Sequence, residues 1–171
     1  MFFTCCIAFV NSTSALAKTE QDVKAAYLYN FIKFIEWPAT DNGQDIQILC
    51  VLGKDAINDK LKLLNQRTVR GKILHVVDIS GFEQSDIESC DILFVGQSEE
   101  KFLDKIFSNA SSSSTPTLTI SSIDEFADQG GIIGFVKLGN VIRFEINLKQ
   151  ALDTKLSISS KLLELANKVV R

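Results

Sequence analysis

Side chains that commonly perform catalysis or bind metal ions are scarce in this sequence. Its 171 residues include one histidine, His75, and four cysteines. A zinc site needs three or four ligands of the His or Cys type, or closely arranged carboxylates, and one histidine with separated cysteines does not supply them. The G-x-S-x-G, P-loop and EF-hand spacings are absent as well. We therefore predict no catalytic, metal-binding or cofactor-binding residues and interpret the protein as a non-enzyme.

An excess of charge of one sign is also missing. The chain has 18 lysines and arginines against 21 aspartates and glutamates, and its formal net charge is -3 at pH 7. Proteins that bind nucleic acids usually carry a basic face or a basic cluster, and none stands out here. We therefore do not expect nucleic acid as a partner.

Long apolar runs are absent after Lys18. A helix that spans a membrane needs about 20 mainly apolar residues, so we expect no direct membrane insertion by residues 18–171. Phe2–Val10, in contrast, is apolar, and residues 15–17 read Ala-Leu-Ala, which is the A-x-A cleavage pattern of a secretory signal peptide. No Lys or Arg precedes the apolar stretch. We interpret residues 1–17 as a cleaved signal peptide and the remainder as one exported domain.

Export changes what is expected of the cysteines. Cys5 and Cys6 lie in the signal peptide, and the exported domain keeps Cys50 and Cys90. An even pair in an oxidising compartment favours a disulfide. The alternative is two buried thiols that pack as small apolar groups, because both lie in apolar segments. The residues alone leave both interpretations open.

The first helix is predicted from Thr19, its N-cap, to about Ile35. Pro38 disfavours helix at the residue before it and ends the element. The helix has two neighbouring apolar stripes, one through Tyr27 and Phe31 and the other through Leu28, Ile32 and Ile35. Such a helix is either buried on two sides or offers its second stripe to a partner.

Strand and helix patterns alternate through the middle of the chain. Strands are predicted at Ile46–Leu52, Ile73–Val77, Cys90–Val95 and Thr117–Ile120, with helices near residues 55–64 and 99–107 between them. This alternation predicts a single α/β domain with a mainly parallel central sheet flanked by helices.

A β-hairpin and a terminal helix are predicted for the last third of the chain. Gly139-Asn140 separates Ile132–Leu138 from Val141–Ile146, and a two-residue loop with glycine first is typical of a type II′ turn. The register then pairs Phe135 with Phe144 and places both on the core face. The last helix is predicted to begin near residues 157–160 and to end at Val170.

Five side chains are candidates for contacts with a partner or a ligand. Arg143 and Glu145 share one face of a hairpin strand, where they form either an exposed ion pair worth under ~1 kcal/mol or polar anchors in a binding surface. Trp37 either packs against the sheet or, if exposed, serves as an interface anchor. Leu163 and Val170 flank the apolar stripe of the last helix and need not be covered.

Several short motifs occur in a specific order along the exported domain. Together they resemble the YfiR-like family of periplasmic proteins, and they extend over most of residues 18–171. The motifs are FIEWP at residues 34–38, ILCVLG at 48–53, GKI at 71–73, CDILFVG at 90–96, GGII at 130–133, VIRFEIN at 141–147 and the segment 159–166.

The resemblance implies a regulatory function. A protein of this family restrains a membrane-bound diguanylate cyclase by binding its periplasmic sensor domain, and release raises cyclic di-GMP and promotes biofilm formation. The resemblance also implies location in the periplasm, an α/β fold, a homodimer and a disulfide between Cys50 and Cys90. Further cysteines of some members are absent here, which puts redox control through a second disulfide in doubt.

Two functional hypotheses follow. The first is a periplasmic regulator that binds the sensor domain of an inner-membrane signalling protein, with a diguanylate cyclase as the expected partner. The alternative is a periplasmic small-molecule binding protein associated with transport or sensing, with a pocket at the carboxyl ends of the parallel strands.

Overall fold

The structure is a computed structural model that describes residues 18–38 and 45–171. The predicted signal peptide, residues 1–17, lies outside the described residues and stays a prediction. The helices are α1 (Glu20–Phe34), α2 (Asn58–Lys62), α3 (Gln84–Ile87), α4 (Leu103–Ser112), α5 (Leu148–Asp153) and α6 (Ser160–Leu165), and a 3-10 helix spans Gln97–Phe102. The strands are β1 (Ile35–Glu36), β2 (Ile46–Leu52), β3 (Thr68–Val69), β4 (Lys72–Ile79), β5 (Ile92–Val95), β6 (Leu118–Ser121), β7 (Ile133–Leu138), β8 (Val141–Asn147), β9 (Ser157–Ile158) and β10 (Lys168–Val170).

An eight-stranded sheet with the order β10-β8-β7-β6-β5-β2-β4-β3 forms the centre of the domain. Strands β4, β2, β5, β6 and β7 are parallel to one another, whereas β8 is antiparallel to β7 and β3 is antiparallel to β4. Strands β1 and β9 form a separate antiparallel pair. The predicted fold class, a mainly parallel sheet flanked by helices and followed by a C-terminal hairpin, is confirmed.

Helices cover the central sheet on both faces, and each face has its own apolar core. The larger core, which we call the first core, contains buried residues of α1, α2, α5 and α6. The second core contains buried residues of α3 and α4 together with Ile123 and Phe126. Because side chains alternate along each strand, Leu49 of β2 lies in the first core and Cys50 lies in the second.

Helix α1 begins after the predicted N-cap, Thr19, which forms a capping box with Asp22. The Thr19 hydroxyl accepts a hydrogen bond from the Asp22 amide at 3.2 Å, and the Asp22 carboxylate accepts one from the Thr19 amide at 2.9 Å. Both apolar stripes of α1 are used inside the domain, since Leu28 and Ile32 of the second stripe are fully buried. The interpretation that this second stripe is offered to a partner is therefore wrong.

The hairpin has the predicted register. Phe135 lies opposite Phe144, and Leu138 lies opposite Val141. Both phenylalanines are buried in the first core, where the ring of Phe31 lies 4.8 Å from that of Phe144 and 5.8 Å from that of Phe135. Aromatic pairs at these distances stabilise the fold beyond the effect of the buried area alone, so this cluster fixes which face of the hairpin packs against α1.

The disulfide interpretation is confirmed. Cys50 in β2 and Cys90, two residues before β5, are bonded, and their Cα atoms lie 5.7 Å apart. Both residues are buried in the second core. The bond therefore joins two neighbouring parallel strands beneath α3 and α4.

The C-terminal segment differs from its prediction. Helix α6 ends at Leu165, and Lys168–Val170 forms β10, which pairs in parallel with β8. The prediction that one helix extends to Val170 is therefore wrong. The physical reason is that the β-branched residues Val169 and Val170 favour a strand over a helix and pair with the free edge of the sheet at β8.

Candidate functional site

Three of the predicted contact residues lie on the same face of the sheet. Arg143, Glu145 and Val170 project from β8 and β10 toward the side of the sheet that carries the second core. Arg143 is exposed, whereas Glu145 and Val170 are half-buried. The structure thus brings these three residues to one part of the molecule.

Arg143 and Glu145 do not form an ion pair with each other among the described residues. The Glu145 carboxylate instead accepts a hydrogen bond of 3.3 Å from the side chain of Asn167. Lys168, which lies beside Glu145 in register, binds the carboxylate of Asp128 at 2.7 Å. Arg143 is therefore a cation without a carboxylate partner in the described part of the chain.

An exposed apolar surface surrounds Arg143. Leu138 and Val141, at the distal end of the hairpin, are each 51% exposed. They share their face with Arg143 and with the half-buried Val136. We call these four residues the outer hairpin surface. The helices of the second core do not cover it, so it is accessible to a partner.

The other two predicted contact residues lie elsewhere. Leu163 of α6 is half-buried against the first core, on the opposite side of the sheet from Arg143. Trp37 follows β1 and is also half-buried, with its indole N–H donating to the backbone oxygen of Asp91 at 3.3 Å. The five predicted residues therefore do not form one surface.

Strand β4 carries an exposed apolar surface that its sequence did not reveal. Ile73, Val77 and the neighbouring Ile46 are 40%, 36% and 47% exposed. They lie on the second-core face together with the exposed His75, because Ile46 pairs with Ile73, and Cys50 of the second core pairs with Val77. We call these four residues the β4 surface. The first part of β4 lies outside the area that α3 and α4 cover, whereas Ile79 at its end packs against the second core.

A cleft of about 660 Å³ lies at the amino ends of the parallel strands. This is the opposite end of the strands from the one predicted for a ligand pocket, and that prediction stays a prediction. Residues from five separate segments form its walls, among them Trp37, Gln47, Arg70, Lys72, Asp91 and Pro116. Of these, the sequence analysis singled out Trp37 alone.

The electrostatics of the cleft centre on Asp91. One carboxylate oxygen of Asp91 accepts a hydrogen bond from the amide of Ile48 at 2.7 Å. Burial raises the pKa of Asp91 above its usual value of 3.8, and the hydrogen bond from Ile48 and the charge of Lys72 oppose this effect. The cleft therefore holds a carboxylate that loses part of its hydration on folding.

Neither a metal site nor a membrane-spanning helix is found in the part of the chain that the structure describes. No group of three or more His, Cys, Asp or Glu side chains is placed to hold a metal ion there. No helix among those residues is long and apolar enough to cross a bilayer.

Together, the fold and its exposed surfaces define a disulfide-bonded α/β domain suited to contacts with other molecules. The sequence profile of the YfiR/HmsC-like family matches residues 21–167, and the chain therefore belongs to this family. The family is regulatory and periplasmic, and its members associate with membrane signalling proteins. Membership is consistent with a regulator of a diguanylate cyclase. No curated protein matches the sequence significantly.

Solved structures with a similar fold include two bacterial proteins. One is an ABC domain from Streptococcus pneumonia in complex with L-Trp, with 14% identity over 72% of this chain and 55% of that chain and a TM-score of 0.52. Another is a conserved domain protein from Vibrio cholerae O1 biovar eltor, with 12% identity over 72% of this chain and 54% of that chain and the same TM-score of 0.52. The chain thus spans about half the length of these proteins, and the likeness shows the fold alone.

Proposed function

We propose that this protein is a periplasmic regulator that binds and restrains the sensor domain of an inner-membrane signalling protein, with a diguanylate cyclase as the partner. Membership of the YfiR/HmsC-like family supports the kind of partner. Through that partner the protein would control cyclic di-GMP and biofilm formation. Residues 1–17 would direct export and would be absent from the mature protein.

The observation that carries this proposal is the outer hairpin surface. Leu138 and Val141 expose half of their surface beside Arg143, and exposed apolar patches with a polar rim are typical of protein-binding sites. Arginine is also common among the residues that contribute most to protein interfaces. Helix α1, which the sequence offered as an alternative contact surface, is buried on both sides.

Restraint would follow from a difference in affinity. A regulator that binds one conformation of the sensor domain more tightly than the other shifts the population toward that conformation. To shift the occupancy of one conformation from 1% to 99%, the regulator must bind that conformation more tightly than the other by about 5.5 kcal/mol of binding free energy. A central interface of two exposed aliphatic side chains and one arginine is a suitable source for such a difference.

Affinity purification from detergent-solubilised membranes tests the proposal. The wild-type protein should retain a membrane protein with a periplasmic sensor domain and a cyclase domain, identified by mass spectrometry. The double variant Leu138→Lys/Val141→Lys should lose it. Leu152→Lys is the matched control, because Leu152 is 60% exposed on α5 and lies outside the outer hairpin surface. Equal recovery by the double variant and the wild type would contradict the proposed surface.

A homodimer is part of the same proposal. The β4 surface is a second exposed apolar area and is separate from the outer hairpin surface. A second copy of the chain placed there would cover Ile73 and Val77 without blocking the hairpin. Light scattering should report a dimer for the wild type and a monomer for Ile73→Lys/Val77→Lys, and a monomeric wild type at micromolar concentration would exclude the dimer.

A further inference from the structure

The cleft at the amino ends of the strands has the dimensions of a ligand site. Its volume of about 660 Å³ lies within the range of roughly 300–1,000 Å³ found for small-molecule pockets. Trp37 and Pro116 supply apolar walls, and Gln47 and Asp91 supply polar groups. This combination of apolar walls with a few polar groups is common in ligand sites.

Trp37 is held in a fixed position at the wall of the cleft. Its indole N–H donates to the backbone oxygen of Asp91 at 3.3 Å, and the rest of the side chain packs against the first core. No lysine or arginine of the described residues lies over its ring, although four such pairs occur at other aromatic rings. The indole is therefore a rigid aromatic wall without a protein cation against it.

Asp91 lines the same cleft as Trp37, and its carboxylate lacks an ion-pair partner among the described residues. One of its oxygens accepts a hydrogen bond from the Ile48 amide. Lys72, whose positive charge acts to lower the pKa of Asp91, does not come close enough to form an ion pair with it. Arg70 is directed elsewhere, since it donates to the backbone oxygen of Ile35 at 2.8 Å and lies 3.8 Å from Glu36. A half-buried carboxylate without a counter-ion is unfavourable, and a bound cation would relieve this.

Gln47 provides a second polar group in the cleft. Its side chain is 6% exposed and lines the cleft. Within the described residues no hydrogen bond engages its side-chain amide, and the amide nitrogen and oxygen are not fully buried. Its oxygen can accept an N–H or O–H from a bound molecule, and its NH₂ can donate to one.

The net charge of the cleft favours a cation. Glu36, Glu88 and Asp91 line it against Arg70 and Lys72. The Glu88 carboxylate accepts a hydrogen bond from the neutral amide of Gln84 at 3.1 Å and forms no ion pair with a lysine or arginine among the described residues. Three carboxylates against two cations leave an excess of negative charge.

We propose that this cleft binds a small organic ammonium compound, with the ammonium group between the Trp37 ring and the Asp91 carboxylate and a polar substituent on Gln47. An ammonium over a tryptophan face is stabilised by the quadrupole of the ring, and the carboxylate adds a charge-assisted interaction. The site is distinct from the outer hairpin surface. It requires neither a membrane receptor nor a homodimer.

The fluorescence of the protein reports on this site directly, because Trp37 is the one tryptophan in the sequence. The full chain is titrated with choline, putrescine and agmatine in phosphate buffer, with sodium chloride added to keep the ionic strength constant. At least one of these cations should give a saturable change in emission. The neutral isostere of choline, 3,3-dimethylbutan-1-ol, and the dianion glutarate should give none at the same concentrations.

Three variants, measured by calorimetry, assign the response to the cleft. Asp91→Asn should weaken binding about tenfold, which corresponds to ~1.4 kcal/mol, and it keeps an oxygen for the Ile48 amide. Asp104→Asn makes the same change of charge on the exposed start of α4 and should bind like the wild type. Lys72→Met should bind more tightly, because it removes the cation that competes for Asp91.

Four outcomes would overturn the proposal. The first is the absence of a saturable response to all three cations at about 10 mM, a concentration at which even millimolar affinity is detectable. The second is an equal response to the neutral isostere, and the third is tighter binding of glutarate than of the cations. The fourth is unchanged affinity for the cation in Asp91→Asn. Far-ultraviolet circular dichroism of each variant shows whether it is folded. Since choline binding is measured on the isolated protein, failure here is distinguishable from failure of receptor capture.

Discussion

Removal of the disulfide between Cys50 and Cys90 is predicted to lower the stability of the domain substantially. The two residues are separated by 40 positions in the sequence. In the chain-entropy description, a crosslink that closes a loop of this length removes about 4 kcal/mol of conformational freedom from the unfolded chain. Domains have a total stability of only about 5–15 kcal/mol, so this single bond accounts for a large fraction of the stability.

The expected shift in thermal unfolding follows from the same magnitude. For a domain of 150–250 residues, 1 kcal/mol corresponds to roughly 2–4 °C in the unfolding midpoint. A loss of about 4 kcal/mol therefore lowers the midpoint by ~8–16 °C. The slope of urea unfolding should also rise, because the unfolded chain becomes less compact without the crosslink.

Urea unfolding of the wild type and of Cys50→Ala/Cys90→Ala measures this effect, with and without a reductant. Both sulfurs are buried, with the residues 1% and 0% exposed, so reduction should be slow in the folded protein and fast once it unfolds. The double variant controls for the reductant, which should not change its midpoint. If the double variant is as stable as the oxidised wild type to within ~0.5 kcal/mol, the chain-entropy reasoning is wrong for this protein.

Three further predictions concern single positions. Hydrogen bonds from Lys60 and then Thr19 hold the pKa of Asp22 below its usual value, so its contribution to stability is present above the usual pKa of about 4 and is lost as the pH falls through the lowered value. Asp22→Asn should accordingly be less stable than the wild type in urea at pH 7, and the difference should shrink as the pH is lowered below about 3; a difference independent of pH would contradict this. Burial raises the pKa of Asp91, so the ionised carboxylate destabilises the folded state at neutral pH, and protonation below the raised pKa removes this effect. Asp91→Asn should therefore keep or increase the urea midpoint at pH 7. A clear loss of stability would show that the carboxylate has a structural function. Gly131→Ala would place a methyl group against the ring of the buried Phe126 and should lower stability by about 1–3 kcal/mol. In Gly134→Ala the new methyl group would lie 3.3 Å from its nearest neighbour, the Cβ atom of Phe126, and this variant should lose less stability. Equal effects of the two substitutions would refute the steric argument.

The parts of the fold that could be predicted from the sequence are those in which local chemistry and packing agree. Gly139-Asn140 sets the turn of the hairpin, and the apolar alternation around Phe135 and Phe144 requires the same register. Strand β2 has its predicted bounds, Ile46–Leu52, because its apolar run is bounded by polar residues and a glycine. In these segments no long-range contact contradicts the local pattern.

The C-terminal strand could not be predicted because the local pattern is ambiguous there. Leu162, Leu165, Ala166 and Val169 follow helical spacing, yet Val169 lies opposite Ile146 in a parallel pairing that joins segments more than 20 residues apart. Residue spacing gives no information on whether a free sheet edge exists beside β8. The edge strand is a tertiary effect that overrides the local preference.

The cleft was missed for a related reason. Gln47, Lys72 and Asp91 lie at the beginnings of different strands, and no two of them are close in the sequence. The amino ends of parallel strands meet only when the order β5-β2-β4 is known. Trp37 was recognised from its residue type, and the family motifs that contain Lys72 and Asp91 do not show that these residues meet it in one cleft.

The coverage of the sheet explains why the protein has more than one exposed apolar surface. The buried strand residues of the second core belong to β2 and β5, in the middle of eight strands, so the sheet extends beyond its helices on both sides. One uncovered side is the β4 surface, and the other is the outer hairpin surface. A single compact partner would have to bridge α3 and α4 to reach both. The two proposed occupants, a second copy at β4 and a receptor at the hairpin, would together remove more apolar area from water than one occupant at either surface. Mutations on one surface should then leave binding at the other unchanged, as expected for well-separated sites.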